Sequence, residues 1–243
     1  MRRDWRESAL GLLFPERPRC ALCQSELPGW LRVFGDAQLC RRCQAGVHPL
    51  AEPECRVCGK ARQGEVCQDC LRGPHVFFTA RAYGHFDGVA EQAIKALKYQ
   101  GNRELVPILG EWLVQAYVRY FGDDRHMLVT PVPMHPVKQR RRGFNQAEEI
   151  ARVLCRRMRL KTVQPLRRVR LDQSQTTTAT RAARLAAMES AFALAGGESA
   201  RMVRGNEFLL VDDVLTTGGT ADACARVLFE QGAVSVHVLT VAR

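Results

Sequence analysis

Long apolar runs are missing from this 243-residue sequence. Charges recur throughout, and the one N-terminal candidate, Ala9 to Phe14 behind Arg2 and Arg3, is interrupted by Gly11 and ended by Pro15. Neither a membrane-spanning helix nor the apolar core of a signal peptide fits such a pattern, so no membrane span and a cytoplasmic location are expected. Two phosphate-binding signatures are also absent: a Gly-x-x-x-x-Gly-Lys-Ser/Thr loop, and a Gly-x-Gly-x-x-Gly fingerprint after a strand. Nucleoside triphosphate and dinucleotide readings lose their support with them. Acidic residues are scarce relative to basic ones, 25 against 36, for a formal net charge of +11. The basic excess lies between Lys138 and Arg170, which suits polyanionic partners and equally a solvated helix face.

The apolar fraction of 46% and charged fraction of 25% are those of a folding chain. The length allows one medium domain with a small appended module. Residues 1–19 are expected to be a helical lead-in, 20–75 a cysteine-rich module and 76–243 an α/β domain. Eight of the ten cysteines fall in the middle segment as four Cys-x-x-Cys pairs: Cys20/Cys23, Cys40/Cys43, Cys55/Cys58 and Cys67/Cys70. Two such pairs can give one zinc ion four thiolates, and that stabilises a segment too small to build its own core. A reducing cytosol argues against a disulfide framework. About two structural zinc ions are therefore expected, with successive or alternating pairs sharing a metal. His48 and His75 are read as bystanders, and Cys155 and Cys224 as small core residues.

From Val76 the texture becomes that of alternating strands and helices. Strands are predicted over Val76 to Phe86, Met127 to Val132, Phe208 to Val211 and Ala233 to Val241. Helices are predicted over Gly88 to Tyr99, Leu105 to Tyr120, Gln146 to Leu160 and Thr220 to Gln231. The alternation favours a parallel sheet with helices on both faces. Its most informative segment runs from Phe208 to Thr220: a doubly buried strand, Asp212 and Asp213, then Thr216-Thr217-Gly218-Gly219-Thr220 opening a helix. Amides of a glycine-rich loop at a helix N-terminus, with threonine hydroxyls beside them, make a cradle for a phosphate dianion. Two carboxylates at the strand end can accept hydrogen bonds from the vicinal hydroxyls of a ribose. A ligand so held lies at the carboxyl end of the sheet.

This segment resembles the phosphoribosyl-pyrophosphate motif of type I phosphoribosyltransferases. Pro131-Val132-Pro133-Met134-His135, followed by Arg140-Arg141-Arg142-Gly143-Phe144-Asn145-Gln146-Ala147, resembles the ComF branch of that superfamily, whose members also carry N-terminal cysteine knuckles. The resemblance runs from about Cys20 to the C-terminus. It implies a type I phosphoribosyltransferase-like α/β fold behind a zinc module, with phosphoribosyl pyrophosphate or a related ribose phosphate bound together with Mg²⁺. Asp212 and Asp213 would hold the diol, and Thr216, Thr217, Gly218, Gly219 and Thr220 the 5′-phosphate. Val132, Pro133, Met134, His135, Lys98, Arg142, Asn145 and Gln146 would face the pyrophosphate. The segment Gln173 to Phe192 departs from the family pattern: it keeps Gln175, Arg184 and Ala191-Phe192, but has Ala187 where Asn is expected.

No general base stands out, and a turn histidine such as His135 more often has no catalytic duty. The resemblance implies a role in DNA uptake during natural transformation, handling single-stranded DNA in the cytoplasm near a competence helicase. The alternative is an active phosphoribosyltransferase acting on a base or other nucleophile.

Overall fold

The computed structural model describes residues 18–28, 38–51, 54–61, 65–171 and 190–243. Most of the expected lead-in (residues 1–17), together with Gln173, Gln175, Arg184 and Ala187, lies outside the described residues.

Four parallel strands form the central sheet: β1 (Thr79–Gly84), β2 (Leu128–Pro131), β5 (Glu207–Val214) and β6 (Ser235–Ala242), in the order β1-β6-β5-β2. Parallel pairing buries both faces, and β5 carries the continuous apolar run this requires. Phe208 and Leu210 enter one core with α8 (Gly219–Glu230) and α7 (Gly197–Val203). Leu209 and Val211 enter the other, with α3 (Gly88–Lys95), α4 (Leu105–Phe121) and α6 (Gln146–Met158). Adjacent side chains alternate between faces, so one strand serves both cores. Helix α6, reached after β2, thus packs on one face and α8, which follows β5, on the other. Between neighbouring strands this leaves a crevice at their carboxyl ends.

Four elements depart from the sequence expectation. Residues Pro136–Arg142 form the short helix α5, which is not among the elements expected from the sequence. Pro136 suits a first turn, the His135 ring accepts the Val137 N–H, and Gly143 ends the helix at φ 87°. None of its residues is buried, so it has no apolar periodicity to read. The helix expected to run to Tyr99 changes after Lys95 into a π-helical turn, Ala96–Gln100, closed by Gly101 at φ 68°. Finally, β3 (Leu166–Arg168) and β4 (Phe192–Leu194) pair antiparallel, and strands of three residues leave almost no periodic signal.

Two five-residue helices, α1 (Arg41–Ala45) and α2 (Gln68–Arg72), lie in the cysteine-rich segment. That segment is welded to the sheet domain: Cys20, Ala21, Leu27, Leu39 and Cys43 belong to the same buried cluster as Ile94 and Leu97. Asn102 Nδ2 donates to the Ala21 carbonyl at 2.8 Å, and Ala80 N donates to the Val57 carbonyl at 2.7 Å. Among the described residues no helix is long and apolar enough to cross a membrane.

Helices α4 and α6 meet where Gly110 lies against Val153; a Cβ at Gly110 would stand 2.4 Å from the Val153 Cβ. Gly110→Ala is expected to lower stability by about 1–3 kcal/mol through overpacking, and adding Val153→Ala, which removes the γ-methyls but keeps the Cβ at 2.4 Å, to leave most of that loss in place. Urea denaturation of the three proteins checks this.

Candidate ribose-phosphate site and metal centres

The two metal clusters follow from the backbone of each knuckle. Cys20, Cys23, Cys40 and Cys43 converge with their sulfurs within 4.8 Å of one another, and Cys55, Cys58, Cys67 and Cys70 do the same. Successive pairs therefore share a centre, which resolves the pairing that the spacing left open. Distances of 3.7 Å for Cys23–Cys40, 3.7 Å for Cys58–Cys67 and 3.8 Å for Cys55–Cys70 match the edge of about 3.8 Å in a tetrahedron built on ~2.3 Å Zn–S bonds. Backbone amides support the thiolates: Cys40 N donates to Cys20 Sγ and Cys67 N to Cys55 Sγ, both at 3.3 Å. The Ser25 hydroxyl beside Cys23 holds that thiol down at about 6. The donor set thus fits two structural zinc ions. Neither His48 nor His75 is a ligand: they pair with Asp87 and Asp222, at 3.0 and 2.8 Å. Cys155 and Cys224 are buried in the two cores.

The sheet's crevice holds a cleft of about 360 Å³ between the segments that follow β2 and β5. On the β5 side are Asp212, Asp213, Thr216 and Thr220; on the β2 side are Val132, Pro133, Met134, Arg142, Asn145 and Gln146. Strand β5 runs on through both acids, because Asp212 and Val214 stay in register with Thr240 and Ala242 of β6. Asp213 is 3% exposed and forms an ion pair with Lys98 (Nζ–Oδ1, 2.7 Å), while its Oδ2 has no hydrogen-bond partner. A buried carboxylate oxygen left unmatched beside a cleft is an acceptor in wait for a donor or a cation. Lys98 reaches it from the π-helical turn, a distortion frequent at functional sites.

Asp212 keeps part of its surface open, yet burial and then the charge of Asp213 push its carboxyl up to about 7. Asn145 fixes the opposite wall: Nδ2 donates to the Val132 carbonyl at 3.0 Å, and Oδ1 accepts from Ala147 N at 3.1 Å to cap α6. Arg142 donates to the Gln146 side chain.

Some expected residues sit elsewhere. His135 does not line the cleft; its ring is committed to capping α5. Thr217 is exposed, and Gly218, at φ 83°, is buried behind the loop. Reading the sequence missed Phe86, Tyr99, Lys138 and Arg168, which also line the cleft. Tyr99 is adjacent to Lys98 and was within reach of a closer reading. Arg168 stands on β3, whose position beside the cleft only the tertiary structure supplies.

Comparison with known proteins agrees with this layout. Residues 9–71 match the double zinc ribbon domain family and residues 140–243 the phosphoribosyl transferase domain family. Competence protein ComFC of Bacillus subtilis is 25% identical over 92% of this chain and 94% of its own. Competence protein F of Haemophilus influenzae is 28% identical over 93% and 96%, and DNA utilization protein YhgH of Salmonella typhimurium 26% over 92% and 96%. Along nearly its whole length the chain is thus similar to ComF-type competence proteins. The phosphoribosyl transferase match begins inside α5, whereas the sheet also needs β1 and β2 from earlier residues.

Two outcomes are expected. Metal analysis of anaerobically purified protein should give about two zinc ions per chain, and none would remove both centres. Because the folded Asp212 carboxyl is raised, the folded state holds a proton that the unfolded chain has released between the ordinary carboxyl range and about pH 7. Its contribution favours folding at low pH and is lost as pH rises through that window. Asp212→Asn should therefore raise the melting temperature near pH 8 (about one unit above that midpoint) and change it little near pH 5. Equal shifts at both pH values would contradict the assignment.

Proposed function

We propose that the cleft binds a 5-phosphoribosyl group, as phosphoribosyl pyrophosphate with Mg²⁺ or as a related ribose phosphate, and that the protein acts in DNA uptake during natural transformation. The observation that carries the binding reading is the buried Asp213 carboxylate with its unmatched Oδ2, facing the Val132–Met134 turn across the mouth of a phosphate loop.

In this reading Asp212 and Asp213 accept the 2′- and 3′-hydroxyls of the ribose. Thr216 and Thr220, with the first amides of α8, hold the 5′-phosphate, aided by the helix dipole. The turn after β2 and the cations Lys98 and Arg142 face the pyrophosphate, with Thr217, Gly218 and Gly219 shaping the loop and His135 holding α5. Mg²⁺ would supply charge neutralisation between the pyrophosphate and the diol, and the carboxylate oxygens here suit such a hard cation. Phosphoribosyl transfer would then rest on positioning and charge stabilisation at C1, the alternative reading of the chain as an active transferase.

The competence reading draws on the names of its relatives and on the basic surface beside the cleft. Arg140 and Arg141 are exposed on α5, which suits a phosphate-tracking path for single-stranded DNA. Action in the cytoplasm, beside a competence helicase, completes this proposal.

Calorimetry with phosphoribosyl pyrophosphate and Mg²⁺ is expected to give a saturable heat for the parent protein and none for Asp213→Ala. Identical heats would remove the site assignment. A deletion strain is expected to lose transformation, and complementation with the Asp213 variant shows whether the site is needed. Undiminished transformation in the deletion strain would instead favour the transferase reading.

A further inference from the structure

The phosphate loop is not free-standing. Behind Gly218 lies the segment that leaves the second zinc cluster, and the contact is close: a Cβ at Gly218 would stand 2.6 Å from His75 Cε1 and 3.3 Å from Phe77 Cε1. The His75 ring stacks on Phe77, with centroids 4.4 Å apart and planes 15° from parallel. Asp222, in the first turn of α8, fixes the segment twice: Oδ2 lies 2.8 Å from His75 Nδ1, and Oδ1 accepts the Val76 N–H at 2.7 Å. Both partners are largely shielded, at 14% and 23% side-chain exposure. Asp222 N in turn donates to the Gly218 carbonyl at 2.8 Å, so the clip and the loop share one turn of backbone. Phe77 is 2% exposed in the core beneath.

The same segment is tied to the second cluster from both ends. Only five positions separate Cys70 from His75. On the other side, the Cys55–Cys58 knuckle receives Ala80 N at the Val57 carbonyl (2.7 Å), and Thr79 Oγ1 donates to the Arg56 carbonyl (3.1 Å). The four sulfurs of this cluster are all buried, whereas Cys23 of the first cluster is exposed. From the metal centre to the phosphate loop, therefore, there runs a short chain of packed and hydrogen-bonded groups.

We propose that His75 is a positioning residue for the phosphate loop, and that the second zinc centre, through the Cys70–Phe77 segment, sets how well the loop is organised to bind phosphate. Physically, an amide cradle binds an anion well only if its N–H groups already point inward; a ring wedged against Gly218 and clipped to Asp222 removes the alternatives. The double zinc ribbon thereby acts on the ligand site as well as folding its own segment. The inference rests on the ribose-phosphate reading of the cleft for its binding limb. Its structural limb does not need a ligand.

Hydrogen–deuterium exchange on the ligand-free full-length protein, paired with titration of ribose 5-phosphate, tests both limbs. In His75→Ala, the amides of Gly219 and Thr220 should exchange faster while those of β5 and β6 keep their protection, and ribose 5-phosphate should bind about tenfold more weakly. His75→Phe keeps a ring against Gly218 and is expected to recover most of that affinity; no recovery would overturn the ring's role. Cys70→Ser should lower zinc to about one ion per chain and reproduce the faster loop exchange. Unchanged loop exchange after loss of that zinc would overturn the coupling, as would a loss of protection spread evenly over the sheet. If the parent protein binds no ribose 5-phosphate, the reading of the cleft fails, and the exchange data alone still decide the brace.

Discussion

A carboxylate buried at the end of a doubly covered strand is the constraint on which this architecture turns. Asp213 is carried under the surface because β5 must be apolar on both faces up to Val211, and its ladder with β6 does not stop there. Burying an ion is costly, and the pair with Lys98 offsets only part of that cost, since one oxygen stays unmatched. Beside it, burial and then the charge of Asp213 raise the Asp212 carboxyl well above its ordinary range. Stability is commonly given up in this way at functional sites, and the proposed ligand would relieve it here.

The surroundings of the two acids answer to the same need. Asn145 locks the turn after β2 by bonding the Val132 carbonyl and capping α6, so the far wall of the cleft is held by a buried hydrogen bond. The π-helical turn sets Lys98 against Asp213, and the chain that leaves the second cysteine cluster props the phosphate loop through His75 and Asp222. The ribbon segment is thus part of the site's framework. Its contacts with α4 and β1 make it continuous with the main core.

Several of these relations could be read before any fold was known. The four Cys-x-x-Cys pairs announce metal by their spacing alone, because thiolates three positions apart can grip one ion. The order strand, two acids, Thr/Gly loop, helix was legible from Phe208 to Thr220, and the structure keeps it: β5 runs through both acids and α8 opens at Gly219. The long helices over Leu105–Phe121 and Gln146–Met158 were legible from apolar spacing. The short helix Pro136–Arg142 was not, because nothing in it is buried.

What the sequence by itself determined is local: eight thiolates in four knuckles, a Thr/Gly loop behind two acids, a doubly buried strand and a parallel α/β order. Each depends on neighbours within a few residues, so the chain states it directly. The tertiary structure alone decided which knuckles share a metal, that Arg168 lines the cleft, and that His75 meets Gly218. Those are contacts between residues far apart in the chain, from His75 to Asp222 above all. They arise only when the sheet forms and its two cores close on either side.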